Sequence, residues 1–312
     1  MMTSGPYISV IICTYNRAES LNRTLESINA MTVPDELSWE LIIVDNNSKD
    51  NTRQFVEDFI KTSGLNCRYV FEEKQGLSHA RNRGTQNARG EIIAFTDDDV
   101  IVDKYWLNNI VKEFKVNAPT CIGGKILPIW EKPCPEWLKG EALLGYLALL
   151  DLGNRRIKLT KPKIWGANFV VKASTFEKVN FNPAIGRIPG KLYAGEDTEF
   201  IGALIERGKD VFYCPDVIVH HCIPSERTKR SYFRRWKYDE GTLIAVQMGH
   251  YKNRNIMNIP LYEIRYVIGR FCKYLWMQLV SPHKAFHEQL RLFHKIGFVA
   301  GRIKYRKVFN KF

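Results

Sequence analysis

The 312-residue sequence has no run of about 18 uncharged apolar residues, the length that a membrane-spanning helix requires. Its first residues, MMTSGPYISV, include neither a basic segment nor a long apolar stretch, so no secretory signal peptide is expected. Internal repeats and low-complexity segments are also missing. The seven cysteines are odd in number and form no C-x-x-C pair, which argues against a disulfide framework and a structural zinc site. We therefore expect a globular protein in a reducing, cytoplasmic compartment.

Acidic residues are scarce only in the last part of the chain. Residues 223–312 contain 19 Lys and Arg but 5 Asp and Glu, a balance of +14. Residues 1–222 contain 27 and 28, a balance of −1. A basic excess is typical of proteins that bind nucleic acid, anionic membranes or anionic small molecules. We predict two regions, a nearly neutral domain at 1–222 and a basic, aromatic-rich helical extension at 223–312.

Short β-branched runs alternate with helical patterns through the first hundred residues. Buried strands are predicted at 7–13, 39–44, 68–72 and 91–96, and helices at 17–31, 50–62 and 78–88. Strand, helix, strand, helix is the order of an α/β fold with a mainly parallel sheet flanked by helices.

Polar or acidic residues follow three of these strands: Thr14-Tyr15-Asn16-Arg17, Asp45-Asn46-Asn47 and Asp97-Asp98-Asp99. The carboxyl ends of parallel strands meet at one edge of the sheet, where ligands bind in such folds. Three adjacent carboxylates repel one another, and their oxygens suit Mg²⁺ or Mn²⁺. The alternative is an acidic surface turn.

Two later motifs contain side chains that catalysis or metal binding could use, but their sequence patterns are less specific. Glu196-Asp197 precedes a helix predicted at 198–207. Carboxylates at this position are either stabilised by the helix dipole alone or act as a general base as well. His220-His221 follows an apolar strand, and an imidazole ligand would favour Mn²⁺ over Mg²⁺. Alternation along a strand lets at most one of the two histidines reach a metal, and both are structural or surface residues otherwise.

In order and spacing, these motifs resemble those of the inverting, nucleotide-sugar-dependent glycosyltransferases of family 2, which have the GT-A fold. The resemblance spans about residues 7–222 and rests on the segments 14–17, 44–52, 76–84, 95–99, 195–197 and 208–220. Each motif is short, but the set is specific. The resemblance implies a Rossmann-like catalytic domain at 1–222.

The resemblance also implies a role for each candidate residue. Around the nucleotide it places Asp45 on the base, Thr14, Tyr15 and Arg17 in the same pocket, Arg81 on the nucleotide loop, and Asp97 and Asp98 on the ribose side. Trp165 and Asn168 belong to a segment that lies under the donor sugar. Asp99 ligates the metal ion, Mn²⁺ or Mg²⁺, with His220 slightly favoured over His221 as a further ligand. Asp197 is the base and Glu196 positions sugar or acceptor.

One position departs from a common family pattern. Many members have two acids after the second strand, whereas here Asn46 follows Asp45. An amide cannot accept as a charged group, so a role for Asn46 in the base contact stays open.

The expected reaction is metal-dependent transfer of a sugar, with inversion, from a nucleoside diphosphate, usually UDP, to a saccharide or lipid-linked acceptor. Such enzymes act in the synthesis of cell-surface polysaccharides or glycolipids. One alternative is a sugar-phosphate nucleotidyltransferase. Such an enzyme requires a glycine-rich loop after the first strand, and residues 14–17 contain no glycine. Another is a non-catalytic membrane-binding scaffold, against which the intact acidic motifs argue.

The basic extension interleaves cations with aromatic residues at 227–237 and predicts a basic amphipathic helix at 261–280. The segment 287–312 repeats this pattern. The basic extension either packs on the catalytic domain, binds an anionic membrane surface or captures an anionic acceptor. The second possibility would make the enzyme peripheral on the inner face of the membrane. No nucleic-acid motif is visible, and no nucleic-acid partner is expected.

Overall fold

The computed structural model describes residues 7–139, 141–186, 192, 195–248, 255–256 and 259–304. These residues fall into two compact units. The first takes its described residues from 7–133, 141–186 and 195–223, and the second from 134–139, 192, 224–248, 255–256 and 259–304.

The first unit is built on one mixed sheet. Its strands are β1 (Ile8–Thr14), β2 (Trp39–Asp45), β3 (Cys67–Phe71), β4 (Ile92–Asp97), β5 (Val100–Val102), β6 (Cys121–Trp130), β7 (Ile157–Lys158), β8 (Asn168–Lys172) and β9 (Val211–Ile223). The strand order is β3-β2-β1-β4-β8-β6-β9-β5, and β7 also pairs with β9. The four strands from β1 to β4 are parallel, as predicted, and β8 joins them to β6 by antiparallel pairing on both sides.

Strand register brings the polar strand ends together. Thr14 lies beside Asp45 across β1 and β2, and Cys13 lies beside Asp97 across β1 and β4. The buried bodies of these strands have almost no exposed surface, so only their carboxyl ends offer polar groups to a ligand.

Helices pack against this sheet. They are α1 (Ala18–Asn29), α2 (Thr52–Ser63), α3 (Leu77–Asn87), α4 (Trp106–Asn117), α5 (Glu141–Leu144) and α6 (Glu196–Glu206). The apolar spacing of α1 buries Leu21, Leu25 and Ile28, the face that the sequence predicts. A cluster of phenylalanines packs under α6, with Phe181 and Phe200 stacked at 4.7 Å between ring centroids.

The second unit is mainly helical. It contains α7 (Arg230–Gln247), α8 (Leu261–Val280) and α9 (Pro282–Lys304), and a short pair of strands, β10 (Asn255–Ile256) and β11 (Ile259–Pro260). Among the described helices, none combines the length and the apolar character needed to cross a membrane.

Candidate active site

Asp98 is the buried member of the acidic run. Its Oδ2 accepts from Thr14 Oγ1 at 2.8 Å, and its Oδ1 accepts from Arg17 Nη1 at 2.8 Å. Burial raises the pKa of Asp98, although the Arg17 charge opposes that shift. Sequence reasoning placed Asp98 on the nucleotide. In the structure the Asp98 carboxylate binds Thr14 and Arg17, and its expected place beside the nucleotide stays a prediction.

Arg17 holds the acidic run at the start of α1. Its Nη1 lies 3.0 Å from Asp99 Oδ2 in addition to its contact with Asp98. The Asp98 charge raises the pKa of the Arg17 guanidinium. Thr14 and Arg17 were expected in the nucleotide pocket; both instead direct their polar atoms to the carboxylates. Tyr15, between them, is half-buried at the same strand end.

Arg81 joins the two acidic motifs, which are far apart in sequence. It projects from α3, its Nη1 donates to Glu196 Oε1 at 2.6 Å, and its Nη2 lies 3.6 Å from Asp97 Oδ1. Burial lowers the pKa of Arg81, but the charges of Glu196 and Asp97 outweigh burial and leave that pKa raised. A Cβ at Gly166 would overlap the Nη2 atom, so glycine is required there to admit the guanidinium.

Glu196 is almost completely buried in the first turn of α6. Its Oε1 accepts from Arg81 and its Oε2 accepts from the Gly195 amide at 3.0 Å. Sequence reasoning gave Glu196 a contact with sugar or acceptor. Both of its oxygens accept from the protein, so Glu196 holds Arg81 in place, and its expected contact with sugar or acceptor stays a prediction.

Asp197 lies next to Glu196 and keeps part of its surface exposed. Its Oδ2 accepts from the Gly166 amide at 2.8 Å, and its Oδ1 accepts from the Thr198 amide at 2.6 Å. Burial, reinforced by the Glu196 charge, raises the pKa of Asp197 to about 6. These two amide contacts fix the carboxylate in one orientation. The carboxylate is therefore oriented, ionised at neutral pH and more basic than an ordinary aspartate.

His221, rather than His220, lies beside Asp99. Its Nε2 is 3.2 Å from Asp99 Oδ1, and its Nδ1 is 2.8 Å from the Leu147 carbonyl oxygen. The antiparallel pairing of β5 with β9 brings this stretch to Asp99, since Val100 pairs with His221. Side chains alternate along β9, so His220 points to the other face of the sheet. The structure therefore places His221 beside Asp99, although the resemblance slightly favoured His220.

Asp99 and His221 are the residues that could hold a metal ion. A carbonyl oxygen only accepts, so Nδ1 of His221 must carry a hydrogen, and a neutral imidazole then presents the lone pair of Nε2 to Asp99. A carboxylate oxygen and an imidazole nitrogen suit Mn²⁺. Within the described part of the chain, no three His, Cys, Asp or Glu side chains are grouped to hold an ion on their own.

Asp45 and Asn46 occupy the end of β2. Asp45 Oδ2 accepts from the Tyr69 hydroxyl at 2.8 Å, and Oδ1 accepts from the Ser48 amide at 2.9 Å. Asn46 donates to the Lys74 carbonyl at 2.6 Å and accepts from the Gly76 amide at 2.7 Å. An aspartate could not donate to that carbonyl. Asn46 thus ties down the loop that leads into α3 and Arg81, a role that sequence reasoning missed.

Asn168 is fully buried in β8. It accepts from the Trp106 indole at 3.0 Å and donates to the carbonyls of Val217 and Lys125 at 2.9 and 3.1 Å. This arrangement argues against the expected contact with the donor sugar, because the oxygen and the nitrogen of the buried amide both bind to the protein. Trp165, in the same segment, is half-buried and donates its indole N–H to the Leu149 carbonyl at 3.1 Å.

Comparison with known proteins shows the family of the chain. The sequence model of glycosyl transferase family 2 matches residues 9–179, more than half of the chain. The succinoglycan biosynthesis protein ExoM of Rhizobium meliloti is 25% identical over 237 residues, which cover 75% of this chain and 73% of ExoM. A glucosyl-dolichyl phosphate glucuronosyltransferase of Haloferax volcanii is 28% identical over 284 residues, covering 84% and 85%.

Solved structures show the fold. The mannosyltransferase PcManGT of Pyrobaculum calidifontis, in complex with GDP-Man and Mn²⁺, superposes with a TM-score of 0.61 at 17% identity, covering 99% of this chain and 89% of PcManGT. TarS of S. aureus in complex with UDP-GlcNAc gives a TM-score of 0.54 at 16% identity, covering 96% and 92%. The predicted GT-A fold class is confirmed.

Proposed function

This chain belongs to glycosyl transferase family 2, and from that premise we propose that it moves a sugar from a nucleoside diphosphate to an acceptor hydroxyl, with inversion at the anomeric carbon. The observation that carries the proposal is the meeting of two acidic motifs through one buried arginine. Arg81 contacts Glu196 and Asp97, and Asp197 is fixed on the Gly166 amide beside them.

Asp197 is the proposed general base. A base that deprotonates an attacking hydroxyl needs to be ionised at the working pH and held within hydrogen-bond reach of that hydroxyl. The raised pKa of about 6 leaves Asp197 ionised at neutral pH and makes it a stronger base than an ordinary aspartate. The acceptor oxygen attacks as its proton passes to Asp197, and the nucleoside diphosphate leaves from the opposite side of the anomeric carbon.

Asp99 and His221 are the proposed protein ligands of Mn²⁺ or Mg²⁺. Their facing atoms, Oδ1 and Nε2, are 3.2 Å apart. In the neutral form of His221 both atoms present lone pairs, which a divalent cation can accept. When bound, the ion neutralises charge that develops on the leaving diphosphate. The Mn²⁺ in the complex of PcManGT supports a divalent ion for this fold. The proposed ligand set uses His221 in place of His220.

The donor is proposed to bind at the carboxyl edge of β1, β2 and β4. Asp45 and Tyr15 lie there with Asp97, at the ends of strands that are otherwise buried. Parallel α/β sheets bind nucleotides at this edge. UDP is the proposed carrier, and the indole of Trp165 is the proposed wall beside the sugar.

The acceptor is proposed to be a saccharide or a lipid-linked saccharide, in polysaccharide or glycolipid synthesis. The names of the two relatives support this class, since one belongs to succinoglycan biosynthesis and the other acts on glucosyl-dolichyl phosphate. A lipid-linked acceptor would place the enzyme at a membrane surface. We include peripheral membrane binding in the proposal for that reason.

A panel of nucleotide sugars with Mn²⁺ tests the proposed donor chemistry. At least one UDP-sugar is expected to raise the melting temperature and to release UDP on prolonged incubation. Asp99→Ala is expected to abolish the Mn²⁺-dependent part of the stabilisation, whereas Asp210→Asn, at an exposed carboxylate paired with Lys158, is the control and should change neither readout. A protein that neither binds nor turns over any UDP-sugar would contradict the assignment of the donor.

A further inference from the structure

The inner side of α8, in the second unit, includes a carboxylate and a guanidinium, Glu263 and Arg270, among half-buried apolar side chains. Glu263 and Glu288, the carboxylates of α8 and α9 among the described residues, are 5% and 4% exposed. Glu263 pairs with Lys295 at 2.9 Å, and Glu288 accepts from Arg270 at 2.8 Å across the two helices. Ion pairs therefore take part in the contact between these two helices and withdraw both carboxylates from the surface.

The outer side of α8 is apolar. We call Ile268, Phe271, Leu275, Trp276 and Leu279 the α8 apolar face. Ile268, Phe271, Leu275 and Leu279 are three or four positions apart and therefore lie on one side of the helix, and Trp276 lies next to Leu275 at the border of that side. In chain order, the five side chains are 59%, 49%, 48%, 57% and 85% exposed. Large apolar side chains grouped in this way, rather than scattered singly, indicate a surface that contacts another apolar phase.

The charges around this face select the partner. Arg265 and Lys273 are exposed on the same helix, and Lys284 and Arg291 are exposed on α9. Since Glu263 and Glu288 are withdrawn, the exposed ionised groups of these two helices are cationic throughout their described residues. The aromatic rings of Tyr262, Tyr266 and Trp276 add side chains that favour the boundary between lipid and water.

We propose that the α8 apolar face inserts into an anionic lipid surface, with α8 lying in the plane of the interface. Apolar side chains enter the acyl boundary while neighbouring cations meet lipid phosphates, which is how interfacial helices bind. A second copy of this chain fits the face less well, because its own exposed cations would lie against identical cations. This inference rests on the proposed function in that membrane binding is part of it.

Vesicle co-sedimentation of the full chain tests the inference. Wild-type protein is expected to bind vesicles made of equal parts of phosphatidylcholine and phosphatidylglycerol, and to remain in the supernatant with phosphatidylcholine alone. Leu275→Gln combined with Leu279→Gln should lower the partition coefficient by at least about tenfold, because two leucines leave the acyl boundary. Val116→Gln is the matched control, since Val116 is an apolar residue of the first unit that is 73% exposed, and it should bind as wild type does.

Cys272 offers a second readout on the same helix. It is exposed on α8, whereas the other six cysteines are buried or half-buried. A polarity-sensitive fluorophore on Cys272 should shift its emission to the blue with the anionic vesicles and not with the neutral ones.

Three results would overturn the inference: no binding of wild type to anionic vesicles, equal binding by the double variant, or a wild-type dimer that the double variant dissociates. UDP release from the nucleotide-sugar panel is measured on the same samples without vesicles. Turnover without vesicle binding contradicts the membrane inference alone. Vesicle binding without turnover contradicts the catalytic proposal alone.

Discussion

Arg81 is the residue on which the geometry of the site depends most. Its guanidinium is 3% exposed, contacts carboxylates from two distant segments and lies 5.4 Å from the ring centroid of Phe181. Burying one cation among Asp97, Glu196 and Asp197 reduces the repulsion that these carboxylates would otherwise exert on one another. The arginine thus allows Asp197 to remain ionised while it is largely withdrawn from water.

The two adjacent histidines give a matched test at the residue scale. We expect His221→Ala to raise the Mn²⁺ concentration needed for half-maximal donor turnover by at least about tenfold, because a ligand is lost. His220→Ala, in the same strand but on its other face, should leave that concentration unchanged. The measurement is UDP release as a function of Mn²⁺. An equal effect of both substitutions, or the reverse order, would disprove the assignment of His221.

The pH dependence of transfer reports on Asp197. Its carboxyl has a pKa raised to about 6, and only the ionised form accepts a proton from the acceptor. Activity should therefore be constant above that pH and fall tenfold per pH unit below it, whereas an unshifted aspartate would keep activity down to about pH 4. The rate is measured at saturating donor, with circular dichroism to show that the fold persists. Constant activity down to about pH 4 would contradict the raised pKa.

At this scale the sequence predicted chemistry better than contacts. It assigned Asp97 and Asp99 to one acidic motif and Asp197 to another. The structure brings these two motifs together at one edge of the sheet. The sequence did not predict that Asn168 would accept a hydrogen bond from Trp106, 62 positions away, because hydrogen bonds between residues far apart in sequence leave no local pattern. The choice between His220 and His221 likewise depends on how β9 pairs with β5.

At the scale of elements, glycines set how closely α7 and α9 approach. A Cβ at Gly241 would overlap the His294 carbonyl oxygen, and a Cβ at Gly297 would overlap the Tyr238 carbonyl oxygen. The two helix backbones are therefore in direct contact at these points, which glycine alone permits. Gly269, on α8, has no neighbouring atom within 4 Å of such a Cβ.

Gly297→Ala is expected to lower the free energy of unfolding of the second unit by about 1–3 kcal/mol, since the helices must separate to admit the methyl group. Gly269→Ala should instead raise it by about 0.5–1 kcal/mol, because alanine favours an open helical position. Urea denaturation followed by circular dichroism measures both. If the two substitutions had the same effect, the close contact of α7 with α9 would be refuted.

Element prediction worked where local patterns are regular. The strands β1 to β4 and the helices α1 to α3 agree with their predicted ranges to within a few residues, because apolar periodicity there is strong. The helix α4 and the strand β6 were not predicted. The β9 strand runs to 13 residues, although only its ends read as strand-like in sequence. Pairing with β6 on both sides of a register shift at 215–217 makes it one long strand, and Pro215, which local propensity disfavours in a strand, falls in that shift.

At the scale of the whole molecule, the net charge of +13 conceals two different regions. The residues proposed for catalysis lie in the first unit, which carries the acidic edge of the sheet. The basic excess lies beyond residue 222, where the helices of the second unit present cations around an apolar face. Charge alone could not separate membrane binding from packing, since both place apolar residues at helical spacing; the exposure of the α8 apolar face is the observation on which the membrane proposal rests.

The central claim is that Asp197 removes the acceptor proton in a site that binds a nucleotide sugar. The most direct measurement compares transfer of labelled sugar by wild type and by Asp197→Asn, with UDP affinity determined for both proteins. We predict that the substitution lowers the rate of transfer by about 10²–10⁴-fold, as expected for loss of a general base, while UDP affinity stays within about twofold. Transfer at a near-normal rate by Asp197→Asn would contradict the account.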